Sequence, residues 1–184
     1  MSVKDSFIQF IHGLQDEICG ALEAIDGKTT FREDRWERPG GGGGKTRVIP
    51  DGAVFEKGGV NTSVVHGVLP EAMAQQFKVS DSHFMACGIS LGIHPLNPFV
   101  PTVHANFRYF ELYDKDGALK DSWFGGGADL TPYYLSEDDG RHFHQTFKDA
   151  CDPFGKELYP LYKKHCDEYF INKHRNNEAR GIGG

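Results

Sequence analysis

Between residues 90 and 131 the chain gathers side chains that bind and move charge, on what reads as extended backbone. In the stretch 103–110, His104, Asn106 and Arg108 recur at every second residue. Strand alternation puts these three and Phe110 on one face and leaves Val103, Ala105, Phe107 and Tyr109 for packing. A guanidinium grips a carboxylate through two parallel hydrogen bonds, and a histidine gives or takes a proton near neutral pH. A face turned only to water would more often carry Lys, Glu and Thr. The set reads as a site for an anionic small molecule.

The preceding run, 84–93, has the same polarity. Cys87, Ile89, Leu91 and Ile93 point one way, and Gly88, Ser90, Gly92 and His94 the other. Antiparallel pairing with His94 opposite His104 sets Ser90 opposite Arg108 and Gly92 opposite Asn106. Gly88 and Gly92 would then leave room for a flat ligand against the backbone. Residues 125–132, Gly-Gly-Gly-Ala-Asp-Leu-Thr-Pro, read as a constrained turn presenting Asp129, with Trp123 and Phe124 as an aromatic wall.

The nine histidines include no HExxH and no Cys/His zinc spacing. Helical periodicity still sorts them. In a helix opened by Ser136 and ending near Cys151, His144 borders the stripe Phe143, Phe147, Ala150 and Cys151, while His142 joins Gln145 and Asp149 on the wet side. In a second helix, with Pro160 early and its end near His174, Tyr162, Cys166, Phe170 and His174 follow at spacing four, so His174 faces inward. His94, His104, His144 and His174 therefore form a candidate metal set. An inward histidine with an ordinary hydrogen-bond partner is the competing explanation for each.

Elements must position these residues. Phe7, Ile11, Leu14, Ile18, Leu22 and Ile25 make one buried stripe over residues 3–26, and Gly27 stops that helix. Residues 46–110 are strand-like, and 95–101 form a proline-rich link. The glycines at 40–44 precede Lys45 and Thr46, but the first glycine position of a phosphate loop is Pro39 here, with no buried strand before it and no helix after. A flexible loop or lid is expected.

The 184 residues suit one domain, and a net charge of −6 argues against a nucleic-acid partner. Four cysteines without CxxC spacing indicate a reducing compartment, no apolar run is long enough to span a bilayer, and the early Asp5, Asp16 and Glu17 suit neither a signal nor a transit peptide. The composition points to a cytoplasmic protein.

Five strings are specific enough to compare with known families. They are Phe55-Glu56-Lys57-Gly58-Gly59-Val60-Asn61; the run from His94-Pro95 through Asn97-Pro98 to Val100-Pro101-Thr102-Val103-His104; Asn106-Phe107-Arg108; residues 123–132; and Lys173-His174-Arg175 to Arg180-Gly181-Ile182-Gly183-Gly184. Together, and in this order, they resemble aerobic, oxygen-dependent coproporphyrinogen III oxidase over nearly the whole chain. The resemblance implies an α+β fold, a large mainly antiparallel β-sheet flanked by helices, and a homodimer. It implies oxidative decarboxylation of two propionates of coproporphyrinogen III to vinyls, giving protoporphyrinogen IX in haem biosynthesis. Molecular oxygen is the co-substrate, and no organic cofactor is expected. Substrate binding falls to Ser90, Asn106, Phe107 and Arg108, and catalysis to His104, Asp129 and Arg108. His94, His104, His144 and His174 are the positions proposed in bacterial members for a divalent metal. Family members continue well past Gly184, so residues 1–184 are expected to be one domain incomplete at its C-terminus, which leaves an inactive tetrapyrrole-binding fragment or a four-histidine metalloenzyme as rival readings.

Overall fold

The computed structural model describes residues 2–179 and 181–184; Arg180, part of the last string above, lies outside the described residues, as does Met1. Helix α1 (Val3–Asp26) opens on a reciprocal box in which Ser2 and Asp5 satisfy each other's backbone amides. It ends at Gly27, whose left-handed backbone (φ 66°) returns its N–H to the carbonyl of Glu23.

Six long strands follow, β1 (Arg32–Glu37), β2 (Gly42–Pro50), β3 (Phe55–Val68), β4 (His83–Pro95), β5 (Thr102–Tyr113) and β6 (Leu119–Thr131). Each pairs antiparallel with its neighbour in the chain. A short helix, α2 (Glu71–Phe77), lies in the β3–β4 connection, and α3 (Glu137–Cys151) and α4 (Leu158–Phe170) follow the sheet. Among the described residues, a two-stranded ribbon, β7 (Ile171–Asn172) with β8 (Glu178–Ala179), brackets a 3-10 turn at Lys173–Arg175. Then β9 (Ile182–Gly183) joins the far edge, giving the order β1-β2-β3-β4-β5-β6-β9. The expected α+β architecture is the one observed.

Each face of the sheet has its own core. On one side Ile11 and Cys19 of α1 pack against Val60, Cys87, Ile89, Ile93 and Tyr109, all buried. On the other, near the β4–β6 end that begins at Phe84, Leu69, Phe110 and Leu112 pack with Met73 and Phe77 of α2 and with Trp123. Two polar side chains tie α1 down. Buried Gln15 donates to the carbonyls of Lys45 and Val60 and accepts from Thr62 Oγ1. Asp26 accepts from the backbone amides of Lys28, Thr29, Ala53, Val54 and Phe55.

Several expectations change. The glycines at 42–44 are strand, not lid: Gly43 pairs with Glu37 on one side and Val64 on the other. A side chain at Gly44 would lie 2.5 Å from Cζ2 of Trp36, so the indole occupies the space that glycine leaves. Residues 125–127 likewise run within β6 and have none of the positive φ angles expected of a turn. Backbone pairing overrides the loop preference of glycine in each case, on both flanks for 42–44 and against β5 alone for 125–127. Helix α4 ends at Phe170, four residues before the expected His174, and α2 had no signal strong enough to separate it from the surrounding strands. The Ser136 cap is observed, its hydroxyl accepting from the Asp139 amide.

Candidate functional site

Register across β3 to β6 sets three parallel rows. Gly59, Gly92, His104 and Asp129 stand in line; next come Asn61, Ser90, Asn106 and Gly127; then Ser63, Gly88, Arg108 and Gly125. Directly opposed residues share a face, so the rows form one polar patch on the side away from α1. The expected register was wrong by two residues: Ser90 faces Asn106, Gly92 faces His104 and Gly88 faces Arg108. The error is even, so every side chain kept its predicted face. The β4–β5 link was too long to fix the pairing from sequence. Asn61, opposite Ser90, is a member of the patch that the sequence does not reveal, because nothing local to it sets its partner.

The glycines do different work from that expected. A Cβ on Gly92 would sit 3.1 Å from Cδ2 of His104, and one on Gly88 would sit 2.7 Å from the Phe107 carbonyl oxygen. The space at Gly92 holds the His104 ring, and that at Gly88 holds the neighbouring strand, so neither is kept for a ligand.

His104 and Asp129 are register partners, and Nδ1 of the imidazole lies 3.1 Å from Oδ1 of the carboxylate. Thr131 donates its hydroxyl to that same oxygen at 3.0 Å. The His94 ring meets the His104 ring edge-on, centroids 5.7 Å apart. Burial, then Lys57 and then His104 lower the pKa of His94, which favours its neutral form. Arg108 donates its Nε to Asn106 Oδ1 at 2.8 Å, and its side chain is exposed. The arrangement offers a cation for a carboxylate, an amide in the next row, and a histidine–carboxylate pair in the row beyond that.

Along the β6 edge, between α1 and the α3–α4 pair, lies a cavity of about 670 Å³ lined by Phe7, Phe107, Arg108, Phe124, Tyr159 and Cys166 among others. Of the candidate residues, Phe107 and Arg108 reach it. Phe107 is 41% exposed there, in place of the buried packing role expected.

The four histidines do not converge. His144 is engaged by the Tyr159 hydroxyl, 2.7 Å from Nδ1, with its pKa lowered by burial and then by Lys163. His174 lies exposed in the 3-10 turn, because α4 stops short of it. Among the described residues no group of three or more His, Cys, Asp or Glu side chains is placed to hold a metal ion. The residues present do not fit the expected four-histidine metal site, and only His94 and His104 are neighbours.

A family model described as coproporphyrinogen III oxidase matches residues 6–184. The oxygen-dependent coproporphyrinogen-III oxidase, chloroplastic, of Glycine max is 51% identical over 193 residues, covering 100% of this chain and 50% of that protein. Coproporphyrinogen-III oxidase 1, chloroplastic, of Arabidopsis thaliana is 51% identical over 193 residues, with the same 100% and 50% coverage. The chain spans about half the length of the curated relatives it matches. No helix among the described residues is long and apolar enough to cross a membrane.

Proposed function

The chain belongs to the coproporphyrinogen III oxidase family, and from that premise we propose that its polar sheet face is the substrate site of an oxygen-dependent oxidative decarboxylation. The substrate is coproporphyrinogen III and the product protoporphyrinogen IX, a step of haem biosynthesis. The observation that carries the reading is the juxtaposition of the Arg108–Asn106 pair with the His104–Asp129 pair on one face of β5 and β6.

In this reading Arg108 clamps a propionate, Asn106 steadies the clamp, and Ser90 and Phe107 contact the substrate beside it. Holding the reactant converts an encounter with oxygen into an oriented reaction. Asp129 accepts pyrrole N–H hydrogen bonds and stabilises positive charge developing on the ring, and His104 handles the proton. For each propionate, a hydride equivalent leaves the carbon next to the ring and the bond to the carboxylate breaks. That bond's electron pair becomes the vinyl double bond, and carbon dioxide departs. Dioxygen takes the two electrons with two protons and leaves as hydrogen peroxide, so the substrate itself supplies the reducing power.

The reading extends to a homodimer of the whole protein and to a reducing setting, cytoplasmic in this proposal; the free Cys19, Cys87, Cys151 and Cys166 support the reducing half. The test separates binding from turnover. Titrating the chain with coproporphyrinogen III under nitrogen should show saturable binding, and admitting air should give vinyl products by chromatography. Binding without vinyl formation would favour a tetrapyrrole-binding role, and no binding would overturn the proposal.

A further inference from the structure

Asp129 is anchored through one of its two oxygens. Oδ1 receives both His104 Nδ1, at 3.1 Å, and the Thr131 hydroxyl, at 3.0 Å. Among the described residues no hydrogen bond reaches Oδ2 of Asp129 or Nε2 of His104. The carboxylate side chain is 13% exposed and the imidazole 45%, so both unengaged atoms belong to side chains that solvent can still reach. A carboxylate can only accept, so Nδ1 carries the hydrogen in that contact, which makes Nε2 of the neutral ring an acceptor.

Two further residues set this arrangement. Thr131 lies two residues along β6 from Asp129 and so projects from the same face. Its β-branched side chain is stiff at χ1, which holds the hydroxyl in place. Gly92, opposite His104, lacks the Cβ that would press at 3.1 Å on Cδ2 and stand 3.7 Å from Nε2. The ring therefore lies over the β4 backbone, edge-on to His94.

We propose that Thr131 and Gly92 are positioning residues for the reaction: Thr131 pins Asp129 by Oδ1 so that Oδ2 is presented to a ligand N–H, and Gly92 lets His104 lie flat with Nε2 as the open acceptor. The inference rests on the reading of Asp129 and His104 as the ligand-facing pair. Division of the carboxylate means that one oxygen holds the histidine tautomer while the other remains available for pyrrole N–H groups. A threonine with a purely structural role would have no effect on that tautomer.

The test reads the tautomer directly and needs no turnover. Long-range proton–nitrogen correlations on the nitrogen-15-labelled chain, above the histidine titration range, distinguish Nδ1–H from Nε2–H imidazole. The wild type should show His104 as Nδ1–H. Thr131→Val should convert it to a mixture rich in Nε2–H with the amide spectrum retained, and Thr131→Ser should restore most of the original form. Gly92→Ala should abolish the proton contacts between the His94 and His104 rings. An Nε2–H ring in the wild type would overturn the proposal whatever the variants do, as would an unchanged tautomer in a folded Thr131→Val. Because no turnover enters, missing vinyl product would count against the oxidation reading and leave this geometry untouched.

Discussion

The guanidinium of Arg108 is tethered by Asn106: Nε donates to Oδ1 at 2.8 Å, two positions apart on one strand face. That contact uses one donor and leaves the planar NH₂ groups for a carboxylate. Arg108→Ala should therefore weaken coproporphyrinogen binding by roughly ten- to a hundredfold, the value of about 1.5–3 kcal/mol for a charge-assisted hydrogen bond. Arg108→Lys should recover only part, because an ammonium cannot reproduce the fork. Both variants should keep the wild-type melting temperature, since the side chain is exposed. Anaerobic titration with calorimetry checks affinity and stability together, and near-normal affinity in Arg108→Ala would remove the clamp assignment.

Asp26 joins the end of α1 to the β2–β3 turn through five backbone amides. The Val54 amide leads the causes that hold its pKa far below the usual carboxylate range, against burial, which pushes it up. Folding therefore favours the charged form. Its stabilisation is present above the unfolded carboxylate value of about 4 and is lost as pH falls towards the folded value. Asp26→Ala should lower the melting temperature at neutral pH by on the order of 10 °C, since five backbone donors, that of Phe55 buried and the rest partly so, lose their partner. The variant should also lose less of its remaining stability than the wild type between about pH 5 and pH 3, which thermal melts across that range would show.

Glycines in this chain should divide sharply by context. Gly13 and Gly20 lie inside α1 with open space where a Cβ would stand. Alanine at either should stabilise by about 0.5–1 kcal/mol. Gly42 has φ 83°, and a Cβ there would lie 2.1 Å from the Val64 carbonyl oxygen. Gly42→Ala should cost about 2–4 kcal/mol. Urea unfolding of the three variants tests the contrast, and equal effects would refute the strand assignment of the glycine run.

Three histidines are shifted in one direction. Burial leads in lowering the pKa of His12, His94 and His144, helped respectively by Lys45, Lys57 and Lys163. The unfolded chain then takes up protons first as pH falls below about 6.5. Their contribution to stability is whole above that value, declines below it, and levels off once the folded forms are protonated too. The melting temperature should therefore drop between about pH 7 and pH 5, before the carboxylates titrate. His144→Phe should flatten part of that slope, because one shifted group is removed.

Much of this was legible in the sequence because periodicity is a local property. The α1 stripe, the Ser136 cap and the alternation of His104, Asn106 and Arg108 each depend on residues a few positions apart; the cap and the alternation took their expected form, and the stripe did so from Phe7 to Leu22, while Ile25 at the end of the helix stands exposed. The β4–β5 register was not legible, since it depends on how the 96–101 link folds back. The histidine set failed for a related reason. Spacing places a residue on a helix face only while the helix lasts, and α4 ended before His174. Asn61 escaped notice because its importance comes from what lies across the sheet, and Thr131 because spacing sets its face but not that its hydroxyl turns to Asp129.

The strands from β1 to β6 occupy the sheet in the same order in which they occur in the chain. A ribosome releasing the polypeptide from its N-terminus would therefore deliver each strand to a partner already made. Loop closure stays short at every addition, which keeps the entropic barrier low and limits the time an unpaired edge is exposed to other chains. The three polar rows need nothing synthesised after Thr131 to come into register, so binding side chains can be aligned while the helices beyond are still being translated.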